Sequence, residues 1–270
     1  MKPKSLPRYL SFCTLLLAGL PVFAQSPAKG HPVAKTQSLA VAEQKLVRQL
    51  NKINSLADQR GPGEPEDLWE SIENENNILG GLLEELTTEY PSSLTYKFPH
   101  LVAAGVSIAT SPDGLFRIYS WDQNAGGTAH EYNKVYQYKC GDKLYSKLEI
   151  EGNDGNWYSK IYMLDANDKR YYLGVGHVRV SILREYESIQ AFSIEQGALI
   201  DTVRIIKTQS GLTRTLGFEY TDDVHAPDGD MFHYDDSART IRFPVVMDDN
   251  IVTKRRITYK FTGSYFEKIK

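Results

Sequence analysis

Cysteine is scarce in this chain. Only two cysteines occur among its 270 residues, Cys13 and Cys140. Cys13 lies in an apolar N-terminal run that we expect to be removed, which would leave Cys140 alone and exclude an internal disulfide. A lone cysteine in an oxidising compartment is more often a buried, inert side chain than a nucleophile, so we assign Cys140 no reaction.

Long hydrophobic runs are lacking as well. The clearest apolar run covers residues 10–20, which is well short of the roughly 20 residues needed to span a bilayer. It is preceded by three positive charges, Lys2, Lys4 and Arg8. A small-residue cleavage site follows at Ala24. This order predicts a secretory signal peptide over residues 1–24, export to the periplasm or the extracellular space, and no transmembrane segment after cleavage.

The chain has no excess of basic residues. Removal of residues 1–24 takes three of the 31 Lys and Arg residues and none of the 34 Asp and Glu residues. The remaining 270 − 24 = 246 residues then carry a net charge of 28 − 34 = −6. Nucleic acids and anionic lipids attract clustered Lys and Arg, so this balance predicts neither as a partner.

Familiar catalytic motifs are also missing. The sequence contains no nucleophile elbow, no metalloprotease helix and no glycine loop that could cradle a phosphate. What it does contain is a clear hydrophobic pattern, and this pattern predicts the fold.

The N-terminal part of the chain has a helical period. Residues 25–36 contain prolines and a glycine with little apolar content, and we expect a flexible leader there. The next apolar residues share one helical face: Leu39, Leu46, Leu50, Ile53 and Ala57. Residues 61–63 end this helix, and a second, leucine-rich helix starts near Pro65, with a candidate kink at Gly80-Gly81. We therefore predict a helical hairpin over residues 37–90, whose apolar stripe covers the following sheet or, alternatively, docks a partner.

From Leu94 onward the hydrophobic period changes to two, and turn signals recur along the chain. The clearest strands are predicted at residues 144–151, 157–164, 170–183, 189–194, 199–207, 213–221, 240–247 and 251–262. Gly174 and Gly176 lie inside a strand pattern and indicate a bulge or a close backbone approach. The predicted fold class is mainly β, an antiparallel meander over residues 91–270 that follows the α-helical hairpin. Such a meander forms a barrel, a sandwich or propeller-like sheets, and the pattern leaves these three open.

The most regular stretch, residues 111–139, predicts a β-hairpin. Ser111-Pro-Asp-Gly114 is a turn signal, because proline presets φ, aspartate bonds its own backbone and glycine accepts a positive φ. The first strand is expected from Leu115 to Asp122. Its alternation places large side chains on both faces, with Arg117, Tyr119 and Trp121 on one and Phe116 and Ile118 on the other. Because both faces are apolar, we expect a central strand.

This hairpin resembles a pattern found in exported bacterial proteins of uncharacterised activity. The matching residues are Asp113-Gly114, the run from Phe116 to Asp122, Gly126-Gly127-Thr128, His130 and Tyr136-Gln137-Tyr138. Ala129 stands where the pattern carries a bulkier apolar residue. The resemblance implies export and a shared fold, and it brings no catalytic residue with it.

The loop of the hairpin offers a candidate acid/base pair. Asp122 and His130 can orient each other, because a carboxylate holds an imidazole through a hydrogen bond. Neighbouring side chains are candidates for ligand binding if they face a cleft: Arg117, Tyr119, Trp121 and Thr128. Aromatic residues of this kind are more often core or cross-strand partners, and Asp122 can simply cap the turn, so both interpretations stay open.

The richest acidic segment, residues 222–236, is a candidate metal site. The ligands would be His225, Asp228, Asp230 and His233, which supply oxygen and imidazole donors. Their spacing matches no EF-hand loop and no zincin helix, and a solvated acidic loop needs no metal. We therefore expect no cofactor, with a divalent cation as the alternative.

Tyrosine is abundant, with 17 residues. Exposed aromatic rings stack on sugars or anchor a protein partner, although tyrosine is also an ordinary strand residue. Since no reaction is indicated, we expect an exported β protein that binds a protein or a glycan and does not catalyse a reaction. The alternatives are a hydrolase of an extracytoplasmic polymer, centred on Asp122 and His130 or on residues 222–236, and an envelope-associated structural or interaction protein.

Overall fold

The structure is a computed structural model that describes residues 32–150, 155–221 and 229–269. The described chain is mainly β and antiparallel, with two long helices at its N-terminal side, so the predicted fold class is confirmed. The predicted signal peptide lies outside the described residues. Among the described residues, no helix combines the length and the apolarity needed to cross a membrane.

The helical hairpin consists of α1 (Pro32–Ala57) and α2 (Leu68–Glu89). All five residues of the predicted α1 stripe are buried. α1 begins before the predicted residue 37, because proline is well suited to the first turn of a helix, so residues 32–36 are helical where a leader was expected. α2 begins at Leu68 and not near Pro65, because the Pro65 carbonyl accepts the Leu68 amide (3.1 Å) in a preceding turn. α2 then continues through the two central glycines without interruption.

The described strands form three sheets. Sheet A has the order β1 (Ser107–Thr110), β2 (Phe116–Asp122), β3 (Tyr132–Cys140) and β4 (Lys143–Glu149). Sheet B has the order β11 (Thr215–Thr221), β7 (Arg184–Glu195), β6 (Lys169–Ser181) and β5 (Trp157–Ala166), with β8 (Ala198–Ile200) paired to β7. Sheet C has the order β10 (Gly211–Thr213), β9 (Ile206–Thr208), β15 (Phe266–Ile269), β14 (Val252–Phe261), β13 (Thr240–Val246) and β12 (His233–Asp235). All neighbouring strands are antiparallel except β15 and β9, which pair in parallel.

The helices and the three sheets are stacked as four layers. The leucines of α1 and α2 pack on one face of sheet A, around Tyr119, Trp121 and Val135. The other face of sheet A packs on sheet B through a second cluster that includes Phe116 and Phe192. A third cluster joins sheet B to sheet C. The helical stripe therefore covers a sheet, and the stacking corresponds to the sandwich among the three predicted arrangements.

The predicted hairpin of β2 and β3 is present and lies inside sheet A. The Asp113 side chain accepts the Leu115 amide (3.0 Å), and Gly114 has φ 67°, as the turn signal indicates. Tyr119 and Trp121 face the helices, whereas Phe116 and Ile118 face sheet B. β2 is central, because both of its faces are covered.

Two parts of the predicted β region differ from the prediction. Residues 91–106 contain a short 3-10 helix (Pro91–Leu94) and α3 (Pro99–Ala103) before the first strand. The buried Glu43 of α1 accepts the backbone amides of His100 (2.8 Å) and Leu101 (3.0 Å), which satisfies the start of α3. The single strand predicted at residues 199–207 is divided between β8 and β9, because the chain passes there from sheet B to sheet C.

Candidate functional site

Arg117 and Tyr119, two of the candidate ligand-binding residues, are buried and hydrogen-bonded to other parts of the chain. Arg117 is 5% exposed, and its Nε donates to Thr110 Oγ1 (2.7 Å). Its Nη1 donates to the backbone carbonyls of Ser93 (2.5 Å) and Tyr96 (2.7 Å). Tyr119 is fully buried and also donates to the Ser93 carbonyl (3.0 Å), and burial raises its pKa to about 12. These two side chains hold the segment before α3 against β2, and both are buried.

Trp121, the third aromatic candidate, anchors a network of buried amides. Its Nε1 donates to Asn76 Oδ1 (2.9 Å) on α2. Asn76 Nδ2 donates in turn to the carbonyls of Ile72 (2.9 Å) and Gln123 (2.8 Å), which ties α2 to the loop after β2. Asn133 Nδ2 also reaches Asn76 Oδ1 (3.3 Å). Trp121 therefore does not contact a ligand surface itself, although it positions side chains that do border one.

A cleft of about 230 Å³ opens beside this network, between α2 and the loop that joins β2 to β3; we call it the α2–loop cleft. It is lined by Trp69, Ile72, Glu73, Asn76, Gln123, Ala125, Asn133 and Ile150. Asn133 is 1% exposed, and its Oδ1 has no hydrogen-bond partner. A buried acceptor left without a donor costs about 1–3 kcal/mol. A ligand group that reached this atom from the adjoining cleft would supply the missing donor.

Trp69 stands at the mouth of the cleft and is 41% exposed. Its Nε1 donates to Glu64 Oε1 (3.1 Å), and the Arg60 guanidinium lies 5.7 Å from the ring centroid. Gly126 of the loop packs against the indole so closely that a Cβ there would lie 2.2 Å from Trp69 Cη2. Gly126 also has φ 97°, which favours glycine. The ring is therefore held in one place while much of it remains open to solvent.

Asp122 and His130 are brought together, as the sequence predicted. His130 Nδ1 contacts Asp122 Oδ2 directly, and the two side chains are 39% and 26% exposed. Asp122 Oδ1 also accepts the Asn124 amide (2.8 Å), so it caps the turn at the same time. Thr128 is exposed in the same loop. The pair is accessible and lies on the opposite face of the β2–β3 ribbon from Trp121 and Asn133.

The predicted metal ligands are only partly described. His225 and Asp228 lie outside the described residues. His233 is exposed at the start of β12, whereas Asp230 turns toward His177 of β6. No group of three His, Cys, Asp or Glu side chains suited to a metal ion occurs within the described ranges.

A second polar cluster, which the sequence did not indicate, surrounds His177. Its ring stacks on Trp157 with 4.5 Å between centroids. His177 Nε2 lies 2.9 Å from Ser159 Oγ and 3.1 Å from Asp230 Oδ1. His177 Nδ1 faces Glu187 Oε2 at 3.9 Å. The cluster gathers a hydroxyl, an imidazole and two carboxylates from β5, β6, β7 and the segment before β12.

The two carboxylates of this cluster have different environments. Glu187 is fully buried, and burial raises its pKa although the charge of His177 and two backbone amides oppose the shift. Asp230 is more open; burial opposes its ionisation, but hydrogen bonds from His177 and Ser159 prevail and lower its pKa. Burial therefore acts against the charged form of both carboxyls, and only at Asp230 do hydrogen bonds outweigh it.

Comparison with known proteins identifies no family, because neither a protein-family model nor a curated protein matches the chain. The function is therefore inferred from the geometry of these sites.

Proposed function

We propose that the protein is an exported saccharide-binding protein whose ligand occupies the α2–loop cleft. The observation that carries this proposal is the buried, partnerless Oδ1 of Asn133 in a cleft whose mouth presents the exposed ring of Trp69. A sugar offers a hydroxyl donor for such an acceptor and an apolar ring face for an indole. Export is supported by the predicted signal peptide.

The size and charge of the cleft favour a small, neutral ligand. Its volume of about 230 Å³ is below the roughly 300–1,000 Å³ of pockets for drug-sized ligands, so it suits a single ring. Glu73 contributes a carboxylate to the lining, and the Arg60 guanidinium lies beside Trp69 at the mouth, so charges of both signs border the cleft and neither sign of ligand charge is favoured. Most of the polar lining consists of amide groups, which both donate and accept hydrogen bonds as sugar hydroxyls require.

A hydrolase of an extracytoplasmic polymer is the second candidate function. It is supported by the direct contact between Asp122 and His130 and by the exposure of both side chains. Binding to a partner through the helical hairpin has less support, because the leucine stripe that such a partner would need is buried on sheet A.

The saccharide proposal is tested by titrating the purified protein with a panel of neutral mono- and oligosaccharides, followed by calorimetry and tryptophan fluorescence. We expect binding in the unmodified protein and a shift in its fluorescence. Asn133→Ala removes about 1 kcal/mol of hydrogen bonding to the ligand, which corresponds to an affinity about fivefold lower. Trp69→Ala is expected to weaken binding at least as much and to remove the fluorescence shift.

Two matched controls separate the cleft from the rest of the surface. Trp157→Ala removes a tryptophan outside the cleft, and Asn51→Ala removes an exposed amide of α1. Both are expected to bind saccharide as the unmodified protein does. The proposal fails if no saccharide of the panel binds, or if binding is equally strong in folded Trp69→Ala and Asn133→Ala variants.

A further inference from the structure

Ser159 is the extra residue of a β-bulge in β5. The register passes from Tyr158 paired with Gly176 to Lys160 paired with Val175, so Ser159 has no partner of its own in β6. Bulges re-aim side chains and are frequent beside active sites. Here the Ser159 hydroxyl is brought to 2.9 Å from His177 Nε2. This distance is within the roughly 2.6–3.2 Å that separates a nucleophile from its base in hydrolytic enzymes.

The other nitrogen of the same imidazole faces a buried carboxylate. Glu187 Oε1 accepts the backbone amides of Met231 (2.7 Å) and Phe232 (2.7 Å), which hold the carboxylate in place. Glu187 Oε2 is buried without a hydrogen-bond partner and faces His177 Nδ1 at 3.9 Å. Fully buried acceptors are rarely left without a donor. The nearby Nδ1 of His177 is the group placed to become the donor for Glu187 Oε2.

From this geometry we propose that Ser159, His177 and Glu187 form a hydrolytic site for carboxylic esters, independent of the saccharide cleft. Ser159 is the nucleophile and His177 is the general base, while Glu187 is a positioning residue that orients the imidazole through Nδ1. The separation of 3.9 Å is longer than a hydrogen bond. Hydrogen bonds of this kind are often long in ligand-free enzymes and tighten when the substrate is bound.

The reaction uses water as its only co-reactant. Ser159 Oγ attacks the carbonyl carbon of the ester, and its proton passes to His177 Nε2. The bond from carbon to the alcohol oxygen breaks, and the alcohol leaves with that proton. Water then attacks the acyl–serine and gives a proton to Nε2, after which the bond to Oγ breaks, Oγ takes up the proton and the carboxylic acid is released.

Asp230 restrains this site in the resting structure. Its Oδ1 lies 3.1 Å from the same Nε2, so it competes with Ser159 for that nitrogen. A carboxylate beside an imidazole favours the protonated ring, which cannot act as a base. Replacing Asp230 by alanine is therefore expected to speed the reaction of Ser159.

The proposal is tested by incubating the purified protein with a fluorophosphonate. Ser159 Oγ attacks the phosphorus, the P–F bond breaks, fluoride leaves and the serine proton passes to His177. Peptide mapping is expected to find the adduct on Ser159, to find none in Ser159→Ala, and to show labelling about a hundredfold slower in His177→Gln. Asp230→Ala is expected to label faster. Ser210→Ala changes an exposed turn serine and is the matched control, with labelling unchanged.

The role of Glu187 is tested with Glu187→Gln, which keeps an acceptor for the two amides and removes the charge. The charged groups that face His177 are Glu187 from β7 and Asp230 from the segment before β12, and Lys160 of β5 acts on Asp230. Loss of the carboxylate is expected to lower the pH at which labelling reaches half of its maximal rate. A purely structural role of Glu187 would not cause this change. The proposal is overturned if the unmodified protein gives no adduct on Ser159, or if labelling survives in His177→Gln but is lost in Asp230→Ala.

Discussion

Gly80 and Gly81 are neighbours in the middle of α2 but have different surroundings. Gly80 faces sheet A, where a Cβ would lie 2.8 Å from Leu148 Cδ1 and 3.1 Å from Ile150 Cδ1. Gly81 is exposed, and a Cβ there would meet nothing within 4 Å. The pair therefore allows the same substitution, glycine to alanine, to be made with and without a steric conflict in one helix.

The expected free energies of unfolding differ between the two variants. Alanine is better than glycine in a helix interior by about 1 kcal/mol, so Gly81→Ala should stabilise the protein by that amount. Gly80→Ala gains the same propensity but forces Leu148 and Ile150 to move, and overpacking of this kind costs about 1–3 kcal/mol. Gly80→Ala should therefore leave stability unchanged or lower it by up to about 2 kcal/mol.

Urea denaturation and thermal melting of both variants check this prediction. A change of 1 kcal/mol shifts the melting temperature of a domain of this size by about 2–4 °C. Ile150 also lines the α2–loop cleft, so Gly80→Ala is expected to weaken saccharide binding while Gly81→Ala leaves it unchanged. Equal stabilisation by both substitutions would show that the close approach of α2 to β4 does not limit the helix, and would refute the reasoning.

Two further predictions concern buried polar groups. Arg117→Met removes charge-assisted hydrogen bonds and leaves the Tyr96 carbonyl without its donor from Arg117. We expect the free energy of unfolding, measured by urea denaturation, to fall by about 3 kcal/mol or more. Arg48→Met changes an exposed arginine and is the control, with stability unchanged. For Asp113, burial opposes ionisation, but hydrogen bonds from Ser111, the Leu115 amide and Tyr172 outweigh it and lower the pKa. A carboxyl whose pKa is lower in the folded protein than the unfolded value of 3.8 stabilises the protein at pH values above 3.8. This stabilisation is lost as the pH falls through the pKa of the folded protein. The difference in melting temperature between the unmodified protein and Asp113→Asn should therefore be larger at pH 7 than at pH 3, and a difference independent of pH would contradict this.

Local patterns explain which parts of the fold could be predicted. The hairpin of β2 and β3 depends on a turn signal and on alternation within a short stretch, and both are visible in the sequence. The helices after Tyr90 depend on contacts that are far apart along the chain. Glu43 satisfies the amides at the start of α3 from a distance of more than fifty residues, and no local pattern carries that information.

The same distinction applies to the candidate sites. Asp122 and His130 could be paired from the sequence because they flank one short loop. Alternation correctly placed Tyr119 and Trp121 on a common face, but it could not show that α1 and α2 cover that face. The residues of the cleft come from α2, the loop, β3 and the residue after β4, so only the packing of the helical hairpin brings Trp69 to Asn133.

The bulge at Ser159 explains why the His177 cluster could not be predicted. A strand with regular alternation from Trp157 would place Tyr158 and Tyr162 on the same face, but Tyr158 packs toward sheet A and Tyr162 toward sheet C. One extra residue moves every following side chain of β5 to the opposite face of the sheet. The sequence of β5 contains no glycine that would indicate the bulge. The bulge therefore both distributes the core side chains of β5 and presents Ser159 to His177, so its existence alone does not favour a catalytic role. Ser159→Ala keeps the backbone and the core while removing the hydroxyl, which is why labelling of this variant separates the two explanations.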